Sequence, residues 1–173
     1  IDLPETNIKV DFNNPEKLTL EILDGSFSIQ LVAEMMILTG EVAAKFAQAY
    51  NLPIPSRFQE QPDLPSEEEI MQLPPGPVRE FAICRCMTKG EAGVYPSRHA
   101  GLGLDAYAQV TSPIRRYSDL LAHWQIKAHL RGETLPFTAD SLSELLQMID
   151  PVVFEAIQIG RQCTRYWSVE YLD

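Results

Sequence analysis

Between residues 52 and 77 the sequence holds seven of its thirteen prolines. Proline has a fixed φ and no N–H to donate, so this stretch admits neither a long helix nor a central strand. The chain must therefore fold as two regular segments joined by a proline-rich connection. That connection also carries Glu67, Glu68 and Glu69 and little apolar periodicity. Such a composition predicts a surface path with one short helical turn around residues 66–72, its acidic run a solvated face.

Ahead of the connection, residues 7–12 and 17–23 alternate apolar and polar, the period of half-buried strands. Asn13, Asn14, Pro15 and Glu16 supply turn chemistry between them, so a hairpin is expected. Asp24, Gly25 and Ser26 then open a long helix to about Tyr50, with Ser26 or Ser28 as N-cap. Phe27, Leu31, Met35, Leu38, Val42 and Ala49 form its apolar stripe, with Glu34 at the edge. Glu34 is either a surface carboxylate reaching water or a carboxylate lining a cleft.

Beyond the connection, residues 78–88 read as a short helix and residues 91–99 as a strand leading to Arg98 and His99. Leu142, Leu145, Leu146 and Ile149 mark a further helix. Asp150 as N-cap and Pro151 at the first position start another, whose face Val153, Ile157, Gly160, Thr164, Trp167 and Tyr171 is expected to be buried. The expected fold class is α+β: an N-terminal hairpin or partial sheet followed by packed helices.

With 173 residues, 45% of them hydrophobic and 22% charged, the chain is of a size and composition to form one globular domain with a substantial core. No apolar run approaches the roughly 20 residues of a membrane span, and no signal peptide is in view, so no membrane partner is expected. Cys84, Cys86 and Cys163 make no disulfide framework and read as reduced thiols in a core. The net charge of −10 argues against a nonspecific nucleic-acid binder. Its distribution is uneven, however: residues 91–132 hold five basic and three acidic side chains and all three histidines. A positive patch on an acidic body can hold a polyanion locally.

That patch contains the most informative stretch, Ala106-Tyr-Ala-Gln-Val-Thr-Ser-Pro-Ile-Arg-Arg-Tyr-Ser-Asp-Leu120. Ser112 is a good N-cap and Pro113 fits the first helical position. Ile114, Tyr117, Leu121, Trp124 and Ala128 then recur at helical spacing, which predicts an inward face. Arg115 and Arg116 fall in or beside the first turn, where the helix dipole disfavours cations. Free amides and two guanidinium groups at one helix mouth suit an anion, above all a phosphate. The plainer alternative pairs Arg115 with Asp119 and leaves Arg116 solvated, although arginine ahead of aspartate is the poorer orientation.

The common catalytic groupings are missing from the sequence. There is no His-Glu-x-x-His, no Gly-x-Ser-x-Gly and no Walker loop. Gly101 and Gly103 are no more than a lone Gly-x-Gly. His99, His123 and His129 lack metal-ligand spacing, and no tight aspartate cluster suits two-metal chemistry.

Thr111-Ser-Pro-Ile-Arg-Arg-Tyr-Ser-Asp-Leu120, with Gly101-Leu-Gly-Leu-Asp-Ala-Tyr-Ala108 before it and His123 after, closely resembles the signature of the ribonuclease II (RNB) family of processive 3′-to-5′ exoribonucleases. Leu31-Val-Ala-Glu-Met-Met-Ile-Leu38 looks like that family's helix with a Glu-x-Met-Ile core. Gly160-Arg-Gln-Cys-Thr-Arg-Tyr-Trp-Ser-Val-Glu-Tyr-Leu172 resembles the helix after its catalytic domain. The resemblance implies that residues 1–132 are the C-terminal half of an RNB-like catalytic domain and 133–173 the helical segment that follows.

It further implies that Arg115 is the catalytic arginine at the scissile phosphate, and that Glu34, Ser112, Arg116, Arg98, His99 and Tyr107 contribute to RNA binding. Magnesium is the implied cofactor, held by an aspartate cluster that has no match in this sequence. The implied partners are single-stranded RNA and the remainder of a parent protein, namely the metal-binding half of the domain and oligonucleotide-binding barrels. The implied compartment is the cytoplasm or an organelle stroma or matrix. Many members have His-Phe where Gln109 and Val110 stand, Pro at Ser118, His-Arg at His123 and Trp124, and Asn at Gly40. Those replacements, with the missing aspartates, leave a non-catalytic RNA-binding paralogue as a competitor, and the acidic face and proline-rich loop would suit another, a helix-rich interaction module.

Overall fold

The computed structural model describes residues 5–11, 13–23 and 26–172. The expected hairpin is present. β1 (Glu5–Asp11) pairs antiparallel with β2 (Asn14–Leu23), from Glu5 opposite Leu23 to Asp11 opposite Asn14, with an irregularity between Val10 and Asp11. The reversal is tighter than the four-residue turn read from the sequence, since Asn14 and Pro15 already belong to β2. Phe12, Asp24 and Gly25, which figured in the expected strand and helix start, lie outside the described residues.

Helix α1 spans Phe27–Ala49 with Ser26 as N-cap, as its position predicts, but no side-chain oxygen closes the cap. Ser26 and Ser28 instead share a hydroxyl–hydroxyl bond of 3.1 Å. Only Gly40, Ala44 and Ala47 of this helix are buried. The expected inward stripe of Phe27, Leu31, Met35, Leu38 and Val42 is exposed, because no element among the described residues covers it. Among the described residues α1 alone is long and apolar enough to match a membrane span by length and composition.

The proline-rich connection is not wholly at the surface. Leu52, Pro53, Ile54, Pro55 and Ser56 are all buried. Proline favours an extended backbone, and an extended segment can enter a core where its remaining polar groups find partners. Here Leu52 N–H donates to the Ala47 carbonyl (2.8 Å), Ile54 N–H to that of Val94 (2.9 Å) and Arg57 N–H to that of Tyr107 (3.2 Å). Residues Ser56–Phe58 then form β3, antiparallel to β4 (Glu91–Gly93), the part of the expected 91–99 strand that forms. Ser56 Oγ donates across this pair to the carbonyls of Gly93 and Tyr95.

Farther along, Ser66 caps α2 (Glu67–Met71) through a reciprocal bond with Glu69, and α3 spans Pro77–Cys86. All three cysteines are free. Cys84 and Cys163 are exposed and Cys86 is partly buried, so they are not the core thiols the sequence suggested.

Helix α4 spans Tyr117–Arg131 and ends at Gly132 in the left-handed conformation. It buries Asp119, Leu121, Ala122, Gln125 and Ala128, whereas Ile114, Tyr117 and Trp124 are exposed. The inward face is thus rotated from the one predicted. Gln125 accounts for part of the difference. Its amide nitrogen donates to the carbonyls of Pro53 and Phe137, and its oxygen accepts from Phe137 N–H, so a polar side chain holds the centre of the buried face.

The two helices expected after residue 133 are one, α5 (Ala139–Leu172), with Pro151 inside it. Proline deletes one rung of the ladder, yet the helix continues through it although Asp150, Val152, Val153 and Phe154 are weak helix formers. Asp150 is therefore not an N-cap and faces Arg57 at 3.7 Å. Leu142 and Leu146 are the buried residues of α5, and the expected buried face of its second half is largely exposed.

One core joins these pieces. Ala44 and Ala47 of α1, Leu52 and Ile54, the extended residues Ala106, Ala108 and Val110, and Ala122 of α4 pack together. The arrangement is α+β, as expected.

Candidate functional site

Two core segments meet where the side chains are smallest. Ala108 N–H donates to the Gly40 carbonyl at 3.3 Å. A Cβ on Gly40 would stand 2.6 Å from the Ala108 carbonyl oxygen and would overlap the Tyr107 ring. Glycine at this point lets α1 lie directly on the extended segment carrying Tyr107. It thereby sets Tyr107 beside the helix that bears Glu34.

Tyr107 in turn meets His99 edge to face, with ring centroids 5.5 Å apart. Burial raises the Tyr107 phenol above its usual pKa, the Arg116 guanidinium opposes that shift and Asp119 adds to it. His99 is shifted downward by burial, against a smaller upward effect from its own backbone. Its Nδ1 is buried without a hydrogen-bond partner, so a proton gained there would lack an acceptor.

The loop around His99 is held by a residue the sequence reading passed over. Gln59 N–H donates to the Arg98 carbonyl (3.0 Å), and the Gln59 carbonyl accepts from Ala100 N–H (3.0 Å). The Gln59 amide oxygen accepts from Gly101 N–H (2.9 Å), and its amide nitrogen donates to the Thr88 carbonyl (2.6 Å). A Cβ on Gly101 would overlap that amide oxygen, so glycine is needed for the contact. Gly103, at φ +67°, completes the turn. The loop faces α1 across an open groove of about 380 Å³, lined by Glu34, Ile37, Leu38 and Glu41 on one side and Gly101, Leu102 and Leu104 on the other. Glu34 is exposed and stands on the wall of this open groove.

The segment before α4 departs most from expectation. Residues 112–115 form a separate turn in which Arg115 N–H (3.2 Å) and Arg116 N–H (3.0 Å) both donate to the Ser112 carbonyl. Arg116 is extended (φ −122°, ψ 112°), and the helix begins at Tyr117. Ser112 is therefore not the N-cap, nor Pro113 the first helical residue. The cause is Asp119, which is fully buried. Its Oδ2 accepts from Ser112 N–H (2.9 Å) and from Arg116 Nε (3.0 Å) and Nη2 (2.8 Å). Arg116 Nη2 also reaches Thr111 Oγ1 at 3.2 Å. A carboxylate seven residues beyond Ser112 thus holds the Ser-Pro turn off the helix axis.

The two arginines end in different states. The pairing considered from sequence, Arg115 with Asp119, is replaced by Arg116 with Asp119. Arg115 is exposed and engages no carboxylate among the described residues. One free guanidinium, not two, is thus presented.

His99 and Tyr107 are in ring contact, Tyr107 feels the charge of Arg116, and Arg116 and Ser112 share Asp119; Glu34 stands on the groove wall of α1, and Arg115 is exposed on the turn before α4. Arg98 is tied in through its backbone only, and its side chain is exposed. His123, which closes the signature, bonds the Val110 carbonyl through Nε2 at 2.7 Å and fixes α4 to the extended segment 106–110. Among the described residues no three histidine, cysteine, aspartate or glutamate side chains converge to hold a metal ion.

Comparison with known proteins defines the class. The RNB domain family model matches residues 1–132, and the chain belongs to this family. It is 55% identical over 172 residues to the uncharacterized ribonuclease sll1290 of Synechocystis sp., covering 99% of this chain and 26% of that protein. It is 40% identical over 173 residues to the chloroplastic/mitochondrial ribonuclease II of Arabidopsis thaliana, covering 97% and 21%. The fold superposes on Mycoplasma genitalium RNase R, solved in complex with ribose-methylated single-stranded RNA, with a TM-score of 0.75 at 20% identity, over 99% of this chain and 32% of that one. The chain spans about a quarter or less of the length of these two relatives.

Proposed function

We propose that this chain is the arginine-bearing part of a 3′-to-5′ exoribonuclease that hydrolyses single-stranded RNA to nucleoside 5′-monophosphates. The observation that carries the reading is the unequal state of Arg115 and Arg116. Asp119 consumes the second guanidinium, and the first stands unpaired within the family signature. Membership in the RNB family and the names of the relatives support it. So does the single-stranded RNA held by the M. genitalium homologue.

In this reading the Arg115 guanidinium contacts the scissile phosphate and stabilises charge that develops on its oxygens during in-line attack by water. Arg116 holds the Ser112 turn in place, and the turn sets the position of Arg115. Glu34, at the groove wall, accepts hydrogen bonds from a terminal ribose. Tyr107 and His99 form the floor between Glu34 and the arginines, and Arg98 adds a cation at the loop. Magnesium ions would supply Lewis acidity and an activated water. The residues described here do not form a site for them, so those ligands are assigned to the remainder of the parent protein. The same remainder, with its metal-binding half and oligonucleotide-binding barrels, is assigned to the exposed apolar stripe of α1. Residues 1–132 then form the C-terminal half of the catalytic domain and 133–173 its exit helix. The parent is placed in the cytoplasm or an organelle stroma or matrix, and the Arabidopsis relative's name is in keeping with the latter.

The test gives the full-length parent a 5′-labelled single-stranded RNA with magnesium. Stepwise shortening from the 3′ end with release of 5′-monophosphates is expected. Binding without shortening would replace this reading by that of a non-catalytic RNA-binding paralogue.

A further inference from the structure

We propose that the face of α4 carrying Tyr117, Trp124, Lys127 and Arg131 is a second contact for single-stranded RNA, leading away from the Arg115 turn. The proposal rests on the RNA reading above. At about 100° per residue these four positions fall on one side of the helix. They run from the turn toward the C-terminal end of α4, about 21 Å at the helical rise.

Tyr117 is 45% exposed and Trp124 41%. Their rings meet edge to face at 6.3 Å, and Trp124 stacks on Phe137 at 6.1 Å and 28°. The indole is thus held rigid from behind while its free part lines an open groove of about 400 Å³. Lys127, Arg131, Glu133, Thr134 and Pro136 complete the groove. Arg131 and Glu133 approach only to 4.0 Å and are both well exposed, so Arg131 remains free to engage another anion. In a chain of net charge −10, two cations against one carboxylate beside a fixed indole form a local reversal of sign.

A held aromatic surface with cations along one side is the chemistry of single-strand recognition. Bases of any sequence stack on the ring, and phosphates meet the cations.

The test measures binding to the full-length parent under chelator, so that no strand is cut, using a labelled oligouridylate of about 25 nucleotides and a uridine trinucleotide. Trp124→Ala should weaken the long strand roughly tenfold, while Trp124→Phe retains most of the affinity. The doubly exposed variant Lys127→Ala/Arg131→Ala keeps the fold and should weaken it at least about fivefold. It should also flatten the slope of log affinity against log salt by about 1.4. The trinucleotide, too short to reach from the Arg115 turn into the groove, should bind all forms alike. Unchanged long-strand affinity and salt slope in the Lys127/Arg131 variant would overturn the proposal and assign this face to a protein partner. Failure of the unmodified parent to bind either RNA would remove the exoribonuclease reading itself.

Discussion

Arg116 and Asp119 are joined by two hydrogen bonds to a single carboxylate oxygen, from Nε at 3.0 Å and from Nη2 at 2.8 Å. Asp119 is fully buried, and its partner's side chain is 28% exposed. The same oxygen also takes the Ser112 amide. Removing the acid therefore strands a cation and a backbone donor together. Asp119→Ala is expected to cost about 3 kcal/mol, as for other broken buried pairs. Arg116→Ala/Asp119→Ala should cost less than Asp119→Ala alone, which chemical unfolding of the four members of the cycle will read.

Arg115 carries no such structural duty. Arg115→Ala should leave stability within about 0.5 kcal/mol, the range of ordinary surface changes. The turnover of the full-length protein on single-stranded RNA should fall by about 10²–10³, the usual cost of one transition-state donor. A loss within threefold, in a single-turnover assay, would deprive Arg115 of its role.

Gly40 tests the close approach of α1 and the extended segment holding Tyr107 and Ala108. Gly40→Ala places a methyl group 2.6 Å from the Ala108 carbonyl oxygen and against Tyr107. Backbone cannot yield there as a flexible side chain would. The expected cost is about 1–3 kcal/mol, visible as a lower unfolding midpoint. Ordinary helix propensity would predict the opposite sign at an open helical site.

His99 predicts a pH dependence. Burial lowers its pKa in the folded state below the ordinary histidine value of about 6.5. Below that value the unfolded chain binds more protons than the folded one, so stability rises with pH in this window. The contribution is complete above about pH 6.5 and is lost progressively as pH falls toward the folded-state pKa. A proton NMR titration of His99 should give a midpoint below 6.5. His99→Gln should remove its share of the acid-side loss of stability.

The parts of this fold that were legible in sequence are those fixed by local chemistry. Ser66 and Glu69 announce α2, alternation announces the β1–β2 hairpin, and Pro77 opens α3. Tertiary partners decide the parts that were not. Nothing local separates Ser112-Pro113 from a helix start, because the separating group is a carboxylate seven residues on. Pro151 marks a helix start by the same local rules, yet tertiary context runs the helix through it. β3 has three residues in a proline-rich stretch, and only its partner β4 makes it a strand. The stripe on α1 was legible as apolar, but periodicity reveals a face and not what covers it. Glu34, Tyr107 and the arginines were singled out from motifs. Gln59 was not, because a residue that organises a loop through two backbone and two side-chain hydrogen bonds has no local signature.

The Arg116–Asp119 pair also fixes the valence of this wall. With one guanidinium already neutralised, the turn offers a ligand a single positive charge. That matches an internal phosphodiester, which carries one negative charge per linkage. On the RNA reading, the single charge that Arg115 can bring to a linkage is thus set by the neighbouring salt bridge and not by Arg115 itself.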